Sequence, residues 1–140
     1  MSYRFSKTSR ERLETCDVPL IEVMEHVIKI IDCTILQGHR EEDEQNYYFK
    51  TGKSKLQWPK SKHNSAPSRA VDAAPWPIDW HDLNRFYYFG GVVMATGYQL
   101  GHQLRWGGDW DRDNDFSDQT FMDLVHFEYL GPARPRPLMA

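Results

Sequence analysis

Apolar and polar residues run along this chain in blocks whose period changes from helical to extended and back. Ser6 to Thr15 reads as a short polar helix with Ser6 or Thr8 as its cap. Pro19 opens a second helix, in which Leu20, Val23, Met24, Val27, Ile30 and Ile31 recur at the three- and four-residue spacing of one buried face. Cys33 to Gln37 (CTILQ) has the composition of a short strand and is stopped by Gly38. The acidic run Glu41–Glu44 suits the first turn of a third helix, where carboxylates meet the positive end of the dipole.

Residues 50–69 lose this periodicity. Lys50, Lys53, Lys55, Lys60, Lys62 and Arg69 are interleaved with Gly52, Pro59, Asn64 and Pro67, the pattern of a long basic loop. Ala70 to Ala74 (AVDAA) reads as a short strand halted by Pro75 and Pro77. Asp79 or His81 opens the longest helix, which runs to about Leu100, and the Gly90–Gly91 pair is expected to weaken or kink it. Leu104 to Trp106 starts another strand, an aspartate-rich loop spans Asp109 to Asp118, and Leu124 to Leu130 (LVHFEYL) is the last strand. The tail from Gly131 to Ala140 is proline-rich and expected to fray. Helices and short strands alternate without regular βαβ units, so the class is α+β.

Composition bounds the function. A chain of 140 residues with 40% hydrophobic content supports one core, hence one domain spanning 1–140. A formal net charge of −3 argues against non-specific nucleic-acid binding, which needs a basic excess. No apolar run is long enough for a membrane span, and the polar stretch Met1–Arg12 lacks the apolar core of a secretory signal. The expectation is a monomer made in the cytoplasm. Cys16 and Cys33 form no CxxC pair and are read as free thiols.

Two of the six histidines stand in unusual surroundings. His63, in the basic loop, is followed nine residues later by Asp72 inside an otherwise apolar strand. A carboxylate there is costly to bury unless it is paired or bound to a cation; on local sequence alone, a salt bridge to Arg69 or a turn cap is the favoured account. His126 lies in the last strand, where alternation puts Leu124, His126 and Glu128 on one face and Val125, Phe127 and Tyr129 on the core face. That polar face is either solvent-exposed or functional. Taken together, two imidazoles and a carboxylate are a ligand set for catalytic zinc, with a fourth position left to water. Hydrolysis then needs another carboxylate as general base, and Asp123 and Glu128 both lie close enough in sequence to serve.

Several pieces occur together in a recognisable order: QGHR at 37–40, SKHN at 61–64, PSRAVDAAPWP at 67–77, IDW at 78–80, RWGGDWD at 105–111 and DLVHFE at 123–128. The set resembles the zinc peptidases that comprise D-alanyl-D-alanine carboxypeptidases and L-alanyl-D-glutamate endopeptidases, and within them the phage endolysin branch. The eight residues between His63 and Asp72 exceed the common family spacing and leave the loop path open. The resemblance implies a small antiparallel sheet carrying zinc, with helices on its back, as in Hedgehog/DD-peptidase-like folds. It makes His63, Asp72 and His126 the zinc ligands and Asp123 the base of DxxH. Arg40 then steadies substrate or oxyanion, Ser61 sits near the substrate, and Glu128 supports a ligand histidine by hydrogen bonding. The implied reaction is hydrolysis of the L-alanyl-D-glutamate bond in peptidoglycan stem peptides by a phage or prophage endolysin with no separate wall-binding domain. That enzyme is held in the host cytoplasm until holin-type release delivers it to the wall. The alternatives are a D-Ala-D-Ala carboxypeptidase or dipeptidase, and a non-catalytic zinc-containing wall-binding module.

The aspartates at 109, 111, 113, 115 and 118 alternate as at the start of a calcium loop, yet Asn114 and Thr120 stand where such a loop places its glycine and closing glutamate. The residues favour a solvated acidic turn. The resemblance, since some relatives bind calcium nearby, keeps Ca2+ at Asp111, Asp113 and Asp115 as the alternative. Among the aromatic residues near the expected cleft, Tyr47, Tyr48, Phe49 and Trp58 read as packing and Trp76 as the one to stack on substrate.

Overall fold

The computed structural model describes residues 3–115, 117 and 122–132; Asp118 and the tail beyond residue 132 lie outside the described residues. Ser6 is the cap of α1 (Lys7–Leu13), its hydroxyl accepting from the Ser9 amide at 3.1 Å. Helix α2 (Val18–Val27) begins one residue before Pro19, because Asp17 caps it by accepting from the Val18 amide at 2.8 Å. Its buried stripe is Leu20, Val23, Met24 and Val27. The helix stops short of Ile30 and Ile31, and Ile30 is exposed, since the chain must reverse here to enter β1 (Cys33–Gln37).

Helix α3 (Glu42–Lys50) carries Glu42, Asp43 and Glu44 in its first turn, as the acidic run implies. The basic loop that follows is interrupted by one 3-10 turn, Lys62–Asn64, before β2 (Ala70–Pro75). Helix α4 (Leu83–Gln99) starts later than Asp79 or His81, with Asp82 as its cap, and runs through Gly90–Gly91 as one helix. Gly90 serves packing: a Cβ there would sit 2.3 Å from the Trp106 ring, so only glycine lets α4 approach the sheet this closely.

Strands β3 (Leu104–Gly107) and β4 (Asp123–Tyr129) complete a four-stranded antiparallel sheet of order β1-β2-β4-β3. Helices α2 and α4 cover one face. Leu20, Met24, Val27, Phe89 and Val93 meet Val71, Ala73, Trp106 and Phe127 there, with Phe89 edge-on to Phe127. This is the α+β architecture expected. Cys16 and Cys33 are free, and burial pushes both thiols up to about 12, which leaves them inert as nucleophiles.

Two register shifts bend the sheet next to its polar residues. One lies between Ile35 and Gln37 of β1, opposite Asp72; the other lies between Trp106 and Gly107, opposite β4. The second breaks strict alternation at the start of β4. Leu124 therefore packs against the core instead of sharing the face of His126 and Glu128. Gly107 pairs with Asp123, and a Cβ at 107 would lie 2.0 Å from the Asp123 carbonyl oxygen. Among the described residues no helix is long and apolar enough to cross a membrane.

Candidate metal centre and catalytic cleft

On the sheet face away from α2 and α4, Asp72 of β2 lies directly opposite His126 of β4 in the ladder. Both are one residue out of phase with the core positions Val71 and Phe127, so the pleat turns them together to the other side. His63 arrives from the 3-10 turn. Ser61 accepts from the His63 amide at 3.2 Å, and Asn64 accepts from the Ser61 amide at 3.1 Å, a capping box that fixes the turn. The Arg40 amide donates to the His63 carbonyl at 2.8 Å and ties the turn to the end of β1.

Three side chains converge: His63 Nε2 and His126 Nδ1 lie 3.1 and 3.0 Å from Asp72 Oδ1 and 3.2 Å from each other. The outer ring nitrogens are engaged. His63 Nδ1 faces the Gly38 carbonyl at 2.7 Å, and His126 Nε2 faces Glu128 Oε1 at 3.0 Å. Those acceptors draw the imidazole protons outward, so two nitrogen lone pairs and a carboxylate oxygen point at one spot. Such a trio repels itself unless a positive charge sits among it. Without metal the charge is a proton. Burial opposes a charged His126, but the hydrogen bonds its ring donates to Asp72 and Glu128 prevail and lift it to about 10. Asp72 is held well below the usual carboxylate range, the two imidazoles overcoming the cost of burial.

The trio also fits a metal ion. Ligand atoms about 2.0–2.1 Å from a tetrahedral ion lie roughly 3.3–3.4 Å from one another, close to the separations seen here. Metal-bound histidines typically donate their other N–H to a carbonyl or carboxylate, as His63 and His126 do. Asp72 pairs with the histidines and not with Arg69, whose guanidinium reaches the carbonyls of Tyr129 and Gly131 instead. His126 and Glu128 are buried, so their face is no solvent surface.

A cleft of about 650 Å³ opens over the trio, and Arg40, Ser61, Arg105, Asp123 and Glu128 all line it. Asp123 is half-buried. Burial first, then the charge of Asp72, raises its carboxyl above the ordinary value. Glu128 is committed to its neighbours: it faces His126 through Oε1 and accepts from Arg105 Nε and Nη2 at 3.1 and 2.8 Å through Oε2. These bonds, with His126 first, hold Glu128 below its usual range against burial. Arg40 donates from Nε and Nη2 to Gln37 and from Nη1 to Gln45, and its Nη2 is 3.8 Å from Asp72.

Two contributors, Gln45 and Trp110, escape a reading of the sequence. Gln45 looks like a surface residue of an acidic helix, yet it is fully buried, accepting from Arg40 and Asn64 and donating to the Leu56 carbonyl. Tyr48 lies under the Arg40 guanidinium at 4.7 Å. Trp110, not Trp76, is the tryptophan in the cleft, 5.5 Å from the His126 ring; Trp76 is exposed and outside the cleft lining. The only sequence signal for Trp110 is its place in the RWGGDWD piece. In the aspartate-rich loop, Asp109, Asp111 and Asp113 converge, whereas Asp115 accepts from the Ser117 amide and hydroxyl.

Fold and site together define a small α+β domain with a His-Asp-His group, able to hold one divalent metal, on the floor of an open cleft. The family model described as phage L-alanyl-D-glutamate peptidase matches residues 1–130, and the chain belongs to that family. It is 34% identical over 125 residues to the L-alanyl-D-glutamate peptidase of Escherichia phage T5, covering 85% of this chain and 90% of that protein. Its fold is similar to the crystal structure of the Serratia marcescens L-Ala D-Glu endopeptidase ChiX. The TM-score is 0.71 at 21% identity, over 92% of this chain and 91% of that one.

Proposed function

We propose that this protein is a zinc-dependent peptidase that hydrolyses the L-alanyl-D-glutamate bond of peptidoglycan stem peptides, as a phage or prophage endolysin. The observation that carries the reading is the convergence of His63 Nε2, His126 Nδ1 and Asp72 Oδ1 at 3.0–3.2 Å with their outer atoms already engaged. Family membership supplies the bond and the substrate class. His63, Asp72 and His126 would hold a zinc ion, which would supply Lewis-acid polarisation of a peptide carbonyl and lower the pKa of water towards neutral.

The chain's own groups supply the rest. Asp123, its carboxyl raised by burial at the cleft wall, takes a proton from the attacking water and returns it to the leaving amine. Arg40 places a fixed positive charge beside the cleft; Gln37, Gln45 and the Tyr48 ring hold its guanidinium, so it stabilises a developing oxyanion without reorganising. Ser61 lines the substrate channel and braces the His63 turn. Glu128 holds the His126 ring in the tautomer that leaves Nδ1 free to bind metal.

Purified protein incubated with peptidoglycan should expose new D-glutamate amino termini, lose that activity on chelation and regain it with about one equivalent of zinc. Release of free D-alanine instead assigns a carboxypeptidase. Intact wall with zinc bound assigns a non-catalytic module, a reading the presence of Asp123 disfavours.

A further inference from the structure

Arg105 is a second cleft cation, beside Arg40, whose orientation is set by its neighbours. It stands on β3, directly opposite Glu128 in the ladder. Nε and Nη2 donate to Glu128 Oε2, and the guanidinium lies 5.5 Å from the centre of the Trp110 ring. A fork held along one edge and packed on an aromatic ring has little rotamer freedom left to lose on binding. Among the described residues Nη1 donates to none, and the side chain, 35% exposed, opens into the cleft. Its charge is only partly answered, because Glu128 shares its single negative charge with His126. Lys53, Lys55 and Lys62 line the same cleft and add to the positive potential.

We propose that Arg105 is the recognition residue for a substrate carboxylate next to the scissile amide, with Nη1 as the donating edge and Trp110 as its platform. This rests on the L-alanyl-D-glutamate reading above. A stem-peptide D-glutamate continues through its side-chain carboxyl and keeps its α-carboxylate on the carbon that bears the scissile nitrogen. That carboxylate must lie close to whatever binds the scissile carbonyl, and Arg105 is linked to His126 through the single residue Glu128. Its role is selectivity: the enzyme distinguishes D-glutamate from the uncharged α-amide.

The test uses the zinc-loaded enzyme and two synthetic stem peptides that differ only in carrying the α-carboxylate or the α-carboxamide. Wild type should cleave the carboxylate peptide about 10- to 100-fold better in kcat/KM, the worth of a hydrogen-bonded charge. Arg105→Gln should lose that factor on the carboxylate peptide, mostly through KM, and treat both peptides alike. Arg105→Lys should recover part of the preference. Zinc content and melting temperature are measured on the same samples. Equal wild-type cleavage of both peptides overturns the assignment, as does an Arg105→Gln enzyme that loses activity equally on both. Cleavage of neither peptide by the wild type refutes the L-alanyl-D-glutamate reading itself, and this proposal with it.

Discussion

Asp123 and Glu128 are both carboxylates in the cleft, and substitution can separate the different roles proposed for them. Glu128 faces His126 Nε2 at 3.0 Å and accepts two bonds from Arg105, at 3.1 and 2.8 Å. In Glu128→Gln one oxygen becomes an NH2 group that cannot accept, so the remaining oxygen serves either His126 or Arg105. Losing one charge-assisted bond is worth about 1.5–3 kcal/mol, in line with the 10–100-fold in metal affinity typical of such supporting groups. Asp123 has no such bond to His63, Asp72 or His126, and Asp123→Asn keeps its shape. We therefore expect Asp123→Asn to bind zinc as wild type does while its turnover falls at least about a hundredfold, the low end for a general base. Glu128→Gln should bind zinc about 10–100-fold more weakly and regain much of its turnover at saturating metal. Zinc affinity is read by competition with a chromophoric chelator and turnover on purified wall fragments from the same preparations. A zinc-replete Asp123→Asn enzyme with near-normal turnover, beside a zinc-replete but inert Glu128→Gln, reverses the two roles.

Three further outcomes follow from the geometry. His126 titrates at about 10 in the metal-free fold against about 6.5 unfolded; a raised pKa stabilises fully below the unfolded value and loses that stabilisation as pH rises. Chelated protein should therefore melt progressively lower between about pH 6.5 and 10, and zinc binding near pH 7 should release about one proton from His126, measured by calorimetry in buffers of different ionisation enthalpy; a pH-independent melting temperature and no proton release contradict this. Gly90→Ala should destabilise by about 1–3 kcal/mol through overpacking against Trp106, whereas Gly91→Ala, with nothing within 4 Å of its added Cβ, should stabilise the helix by up to about 1 kcal/mol, both read by thermal melts. Because Asp109, Asp111 and Asp113 converge, millimolar calcium should raise the melting temperature and Asn at 111 and 113 should abolish the response; no calcium effect leaves the loop a solvated acidic turn.

Much of the architecture is local and therefore legible in the chain. Ser6 as a cap, the α2 stripe from Leu20 to Val27, the acidic first turn of α3 and the short strands CTILQ and AVDAA each follow from side-chain period and backbone preference within a few residues. His63, Asp72, Asp123 and His126 could be singled out because their residue types sit in ordered motifs. Nothing local says that Asp72 faces His126 across a ladder, since register is set by the whole buried face of β2 and β4. The same holds for the β3–β4 register shift, which sends Leu124 to the core against strict alternation. Gly90–Gly91 reads as a weak point on helix propensity, yet packing against Trp106 is what Gly90 answers. Gln45 and Trp110 acquire their roles only when a helix and a turn distant in sequence close over one cleft. Glu128 is the clearest case. In sequence it competes with Asp123 for the same role, and only the tertiary contacts of His126 and Arg105, which occupy both of its oxygens, separate the two carboxylates.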